Sequence, residues 1–338
     1  AEHAGIVVDF EPLKDWHFWV AETQDIPSKI SVPYLGSVWD RQYTEAKKHG
    51  GDFFTTLLNY EEKNAFYKQL LPHIPGLTIE MHEHYFKREG LAISTALEND
   101  IGLYIENFSG TPYTDEENTI LRRFSVAFQQ TYTRFLDLKK AEAQIREAQI
   151  EGSLERVRSR AMAIRESKEL DDVIQIIFHE LGQLDINLTE CSIVAYDSNP
   201  RDLIFWSAGP IGAAQPSSTK LQYIDHPILE DLFKDFEKGV LYRSGEYYGE
   251  ILKTWWDRVF TETDFRNAPK EFIEAWKEVT NIYYSQFAMT HGFLEFLGEA
   301  PLQEEKVDIL RRFTNVIELT YTRYDDVVKA EAQAKEAQ

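Results

Sequence analysis

The strongest constraint on how this chain folds is that it repeats itself. Ile120-Leu-Arg-Arg-Phe124 returns as Ile309-Leu-Arg-Arg-Phe313, Thr131-Tyr-Thr-Arg134 as Thr320-Tyr-Thr-Arg323, and Lys140-Ala-Glu-Ala-Gln144 as Lys329-Ala-Glu-Ala-Gln333, each 189 residues apart. Three matches in one register mean a duplicated unit, and 338 residues leave each copy enough chain to bury its own core. The same offset sets Phe66-Tyr67 and Leu70-Leu71 against Trp255-Trp256 and Val259-Phe260, all bulky positions of one amphipathic helix. Nearer the start, Phe18-Trp19 matches Phe205-Trp206 at 187, which aligns Gly5 to Asp9 with Ser192 to Tyr196. Such drift is what loop insertions between duplicated domains produce. The second copy has Ser153 to Leu188 ahead of its opening strand where the first has only Ala1 to Ala4, and the chain stops inside a helix-forming stretch. It therefore reads as an excised segment with an output domain expected beyond Gln338.

Within the second copy, Glu190 to Tyr196 alternates and is β-branched, and Leu203 to Ala208 continues the pattern after the turn Asn199-Pro200-Arg201-Asp202, which predicts a hairpin. Spacings of three and four predict helices over His226 to Lys238 and Tyr247 to Thr261, with a shorter one over Pro269 to Val279. Asn281 to Thr290 and Gly292 to Leu297 read as strands, and a helix follows from about Gln303. Hairpin, helices, hairpin and long helix give an α+β class: an antiparallel sheet with flanking helices, present twice. The expected divisions are a first domain at 1–114, a connecting helix at 115–166, a second domain at 167–302 and a terminal helix at 303–338.

From Asp115 to about Arg165 there is no Pro and a single Gly, Gly152, so one helix of roughly 75 Å is expected. Leu121, Phe124, Phe128, Thr131, Phe135 and Leu138 step by three and four, as do Ile150, Leu154, Val157, Ala161 and Ile164. Both runs match a coiled-coil seam, with a phase slip in Ala141 to Gln149, so a parallel homodimer along this helix is expected. A further helix over Glu169 to Leu184 is expected to start at an N-cap on Ser167.

The string Lys140-Ala-Glu-Ala-Gln-Ile-Arg-Glu-Ala-Gln-Ile-Glu, then Leu154-Glu-Arg-Val-Arg-Ser-Arg-Ala-Met-Ala-Ile and Leu170 to Ile186, resembles the linker and opening helix of tandem GAF domains in bacterial sensor proteins. Such regions precede histidine kinase or other signalling outputs, notably in Bacteroidetes-like proteins. The resemblance implies two GAF-like domains joined by a signalling helix, with a role in sensing and dimerisation. The Asn-Lys, Phe and Asp-Glu signature of cyclic-nucleotide-binding members is not evident, and a single cysteine, Cys191, falls short of methionine sulfoxide reduction. Cys191 lies in the opening strand opposite Ala4 of the first copy and reads as a small core residue, not a bilin attachment point.

A net charge of -21 repels phosphate backbones and anionic lipid, no stretch of 18 apolar residues occurs, and one cysteine suits a reducing compartment, so no nucleic acid and no membrane contact are expected and the cytoplasm is the expected location. No phosphate loop, nucleophile elbow or His-Glu-x-x-His occurs, so neither catalysis nor a cofactor is expected. Glu61-Glu62 and Glu304-Glu305 fall at helix starts, where they answer the macrodipole. His82 and His84, with Glu80, alternate on an expected strand and would share a face there; with no third His nearby, a plain exposed sheet face is the simpler account. For an unidentified small ligand the candidate pocket residues are Trp19, Trp39, Tyr43, Phe66 and Tyr67 in the first copy, and Trp206, Tyr223, Trp255, Trp256 and Tyr284 in the second, beside Tyr283. Aromatics of this kind fill cores as readily as they line sites. A ligand-free dimerising spacer is the competing expectation.

Overall fold

The computed structural model describes the chain except residues 9, 22–27, 75–76, 78, 164–168, 198, 200, 210–217 and 337–338. It falls into two units, Ala1–Ala143 and Gln144–Gln338. The first contains β1 (His3–Val8), β2 (Trp16–Ala21), β3 (Ser28–Val32), α1 (Val38–Lys48), β4 (Phe53–Leu58), α2 (Tyr60–Leu70), α3 (Ile79–Lys87), β5 (Leu91–Leu97) and β6 (Ile101–Asn107), and α4 (Asp115–Met162) runs on into the second. The second adds α5 (Leu170–Gln183), β7 (Glu190–Tyr196), β8 (Leu203–Ala208), β9 (Thr219–Leu221), α6 (Pro227–Glu237), β10 (Tyr242–Tyr248), α7 (Gly249–Glu262), α8 (Lys270–Glu278), β11 (Asn281–Met289), β12 (Gly292–Gly298) and α9 (Glu304–Glu336).

Each unit is α+β, built on a six-stranded antiparallel sheet. The first sheet runs β3-β2-β1-β6-β5-β4; the second, from its other edge, runs β9-β8-β7-β12-β11-β10. The two orders are the same topology, so the duplication seen in a few short strings extends to the whole fold. Local signals set the elements: Ser37 with Asp40 and Asn59 with Glu62 close capping boxes on α1 and α2, and Pro227 opens α6 behind a cap from His226.

Strand alternation gives each sheet two differently used faces. In the second unit, Cys191, Ile193, Ala195, Trp206, Phe287, Leu294 and Phe296 pack against α4, α5 and α9. Val194, Leu203, Phe293 and Leu297 point the other way, toward α6, α7 and α8. Arg156 of α4 donates two hydrogen bonds of 2.6 Å to Glu180 of α5, and Arg312 of α9 reaches Glu147 and Glu151 at 2.8 and 2.5 Å. These pairs hold the last turns of α4 to its neighbours.

Several expectations change. Ile150, Leu154 and Val157, expected on a seam facing a second chain, are buried in the second unit's own core with residues of α5 and α9, and Ala161 of the same seam is buried too. Ile164 and Ser167 lie outside the described residues, and α5 begins after Glu169 without a side-chain cap. The helix expected from Tyr247 starts at Gly249, since Tyr242–Tyr248 is recruited as an edge strand by pairing with β11. The stretch holding Glu80, His82 and His84 is helix α3, not a strand. Two helical positions two apart point about 200° apart, so the histidines share no face. Among the described residues no group of three or more metal-ligating side chains occurs, and no helix is long and apolar enough to cross a membrane.

Candidate functional site

In the second unit the sheet face under α6, α7 and α8 carries a polar row across five strands. Ser207, Ser192, Glu295, Gln286 and Arg243 are successive cross-strand neighbours on β8, β7, β12, β11 and β10. Direct neighbours on one face sit close enough to bond. Ser192 and Ser207 share a hydrogen bond of 2.8 Å, the Gln286 amide donates to Glu295, and Arg243 donates to the Gln286 carbonyl at 3.0 Å. Arg243 Nε also lies 3.2 Å from the Asp235 carboxylate of α6, an ion-pair contact without hydrogen-bond geometry, and the guanidinium donates to the hydroxyls of Tyr247 and Tyr284.

Glu190 stands one step along β7 from Ser192 on the same face, 7% exposed. Its Oε1 accepts from Ser192 at 3.1 Å, while Oε2 is buried with no hydrogen-bond partner among the described residues. Burial, then the charge of Glu295, pushes the Glu190 carboxyl up to about 8 against the pull of the Ser192 and Ser207 hydroxyls. Glu295 is raised too, chiefly by desolvation, with Gln286 and Arg243 opposing.

Above this row lies a cavity of about 80 Å³, lined by Glu190, Gln286 and Glu295 below and by Trp255, Trp256, Phe260, Phe265, Phe272 and Trp276 among the rings above. The helical spacing of α7 turns Trp255, Trp256, Val259 and Phe260 inward together. The indole nitrogen of Trp256 is also buried without a hydrogen-bond partner among the described residues. The site therefore offers an apolar cage with a free acceptor at its base and a free donor in its wall.

Of the candidate residues read from the sequence, Trp255 and Trp256 line this cavity. Tyr284 stacks on Tyr247 at 4.5 Å over Gly245, whose absent Cβ would lie 2.8 Å from the Tyr284 hydroxyl; with Tyr283 it borders a separate groove beside Leu302. Tyr223 packs against Phe233 of α6 beneath the Arg201 guanidinium. Trp206 belongs to the opposite sheet face, against Tyr321 and Tyr324 of α9. In the first unit Trp19 is likewise on the strand face opposite Trp16 and Phe18, and 42% exposed. A strand turns adjacent residues to opposite faces, so in both copies the inward aromatic is the preceding Phe18 or Phe205.

Trp39 and Tyr43 sit over the first sheet as packing. Tyr43 lies 4.9 Å from Trp16, 5.0 Å from Phe10 and 5.2 Å from Trp39, and its ring occupies the space over Gly102, where a Cβ would be 2.4 Å from the hydroxyl. Tyr104 fills the space over Gly5 in the same way. Trp39 donates to Thr95 at 3.0 Å, while the Tyr43 hydroxyl and the Trp16 indole nitrogen have no hydrogen-bond partner among the described residues. Phe66 and Tyr67 pack at 5.1 Å, and the Tyr67 hydroxyl lies 3.5 Å from Glu106. Glu106 also bonds His3, its direct neighbour on β1, at 3.0 Å.

Glu190, Gln286, Glu295 and Arg243 were not among the sequence candidates. A signal was present: Gly-Phe-Leu-Glu-Phe-Leu-Gly places one charge at the centre of an apolar strand, where it must point into the interior. No family model matches this chain, and no curated protein matches it in sequence.

Proposed function

We propose that this chain is the non-catalytic sensory and dimerisation region of a cytoplasmic signalling protein, built from two GAF-like domains, whose second unit binds a small ligand and whose long helices relay its state. The observation that carries this reading is the second unit's cavity: an aromatic cage over a buried carboxyl group, one of whose oxygens has no hydrogen-bond partner among the described residues. A core that only needed filling would not place an unsatisfied carboxyl there, since burying one without its hydrogen bonds is costly. Two antiparallel sheets of one topology, each flanked by helices, agree with the architecture the GAF resemblance implies.

A relay follows from strand alternation. β7 and β12 present Glu190 and Glu295 to the cavity and Cys191, Ile193, Leu294 and Phe296 to α4, α5 and α9. Ligand and signalling helix are thus one strand thickness apart, and a shift of either strand moves residues packed on α4. On the first unit's part of α4, Phe124, Phe128, Phe135 and Leu138 are all more than 40% exposed, which supports a homodimer through that stretch.

The competing reading, a ligand-free dimerising spacer, is favoured by the first unit, where Tyr43 and Tyr104 occupy the inner face themselves. Native mass spectrometry of the purified protein separates the two. A dimer carrying a small mass excess that is lost on denaturation is expected; a bare dimer makes both units spacers, and a bare monomer overturns the proposal entirely.

A further inference from the structure

The polar ends of the two inner faces differ in composition, and the difference points to what the second cavity holds. Glu106 and Glu295 occupy matching places in the repeat, 189 residues apart, on β6 and β12. Across from Glu106, β1 supplies His3, whose ring nitrogen meets the carboxylate at 3.0 Å. Across from Glu295, β7 supplies Ser192, and one step further on the same face Glu190. The first unit answers its acid with a nitrogen base of its own; the second adds another acid, one of whose oxygens has no hydrogen-bond partner among the described residues, beside a cavity. Arg243 does not fill this role, since Gln286 stands between it and Glu295, and Asp235, Tyr247 and Tyr284 already engage it.

Resting on the sensor reading above, we infer that the second unit's cavity takes a small organic cation, a protonated amine or guanidinium of a few heavy atoms, with its N–H against Glu190 Oε2 and its carbons against the tryptophans. Aromatic faces attract such a cation through their quadrupoles, and a carboxylate supplies the charge-assisted bond. Size agrees: about 80 Å³ is roughly half of a cavity that admits benzene. The groups around Glu190 are Ser192 and Ser207, Glu295 on β12, Gln286 and Tyr284 on β11, Arg243 and Tyr247 on β10, Asp235 on α6, and Cys191 on its own strand facing away. In the empty site Glu190 holds its proton at neutral pH, and the arriving cation displaces that proton to solvent.

The test is calorimetric titration of the whole chain with trimethylammonium, against neutral tert-butyl alcohol of similar size and branching, in two buffers of different ionisation enthalpy. The expected result is trimethylammonium binding at least about tenfold tighter than the alcohol, release of about one proton at pH 7, and an affinity loss of about tenfold or more in Glu190→Gln. Proton release is read in the wild-type protein, so the inference stays testable if the variant fails to fold. Equal binding of the alcohol, or binding without proton release, overturns the cation assignment while leaving a ligand-binding cavity. Absence of binding by either probe also overturns it. The sensor reading is then judged separately, by the mass excess on the purified protein, which depends on no chosen probe.

Discussion

The same five residues, Ile-Leu-Arg-Arg-Phe, open the long helix of each unit, and they live in different surroundings. In α9, Ile309 is 3% exposed and Phe313 is fully buried; in α4, Ile120 and Phe124 are 47% and 58% exposed. Arg312 pairs with Glu147 and Glu151, whereas its counterpart Arg123 makes no ion pair among the described residues. The cause is what lies alongside. The second unit has the end of α4 and all of α5 to cover that face, and the described part of the first unit offers no equivalent pair of helices. Identical sequence thus builds a core in one copy and an apolar surface in the other. That contrast is what supports the proposal of a second chain along the first stretch of α4.

The largest effect expected from this contrast is on packing. Phe313→Ala should destabilise the second unit by roughly 3–5 kcal/mol, while Phe124→Ala changes monomer stability by no more than about 0.5 kcal/mol, measured by denaturant unfolding followed by near-ultraviolet circular dichroism. Equal costs would erase the distinction between the two helices. Next comes the filled inner face of the first unit: Gly102→Ala drives a methyl into the Tyr43 ring and should cost roughly 1–3 kcal/mol by the same assay. A neutral result would mean that the first unit has room to spare, and so is open to ligand after all.

The pH dependence sharpens the inner-face comparison. Glu190 titrates near 8 in the folded protein against an ordinary 4.5, so between those values the native state holds a proton that the unfolded chain has lost. Its contribution to stability therefore falls as pH rises from about 4.5 to about 8 and levels off above, with a slope approaching about 1.4 kcal/mol per pH unit. Glu190→Gln should flatten that slope in unfolding curves recorded across the range; Glu295, shifted in the same direction, leaves some of it in place. An unchanged slope would remove Glu190 from the interior chemistry. Smallest is the effect at the proposed dimer contact. Arg123→Glu should weaken self-association by roughly tenfold in sedimentation velocity, about 1.4 kcal/mol, without altering the unfolding of either unit.

Much of the fold was legible in the sequence because the repeat supplied it twice. The hairpin of β7 and β8 matches its expected bounds, since Cys191 to Ala195 and Leu203 to Ala208 alternate around a turn closed by Asp202 N–H bonding to the Asn199 carbonyl at 3.1 Å. β10 was not legible: Tyr-Arg-Ser-Gly-Glu-Tyr-Tyr carries little apolar signal, and its conformation comes from the β11 ladder. α3 misled because Glu80, His82 and His84 alternate by chance, while burial of Tyr85 against Tyr67 and Phe108 comes from a helix. The site was half legible. Size drew attention to Trp255 and Trp256, which line the cavity, and to Trp19 and Trp206, which lie on the other face of their sheets, since bulk says nothing about which strand face a residue takes. The polar row was invisible because its five residues come from five strands and meet only through sheet register.

The most direct test of the central claim, that the second unit senses and the first does not, is a high-resolution crystal structure of protein taken straight from expression. The account predicts density for a small molecule between Glu190 and the rings of Trp255, Trp256 and Trp276, with Tyr43 and Tyr104 filling the inner face of the first unit. Density in the first unit with the second closed over its own side chains, or no density in either, would contradict it.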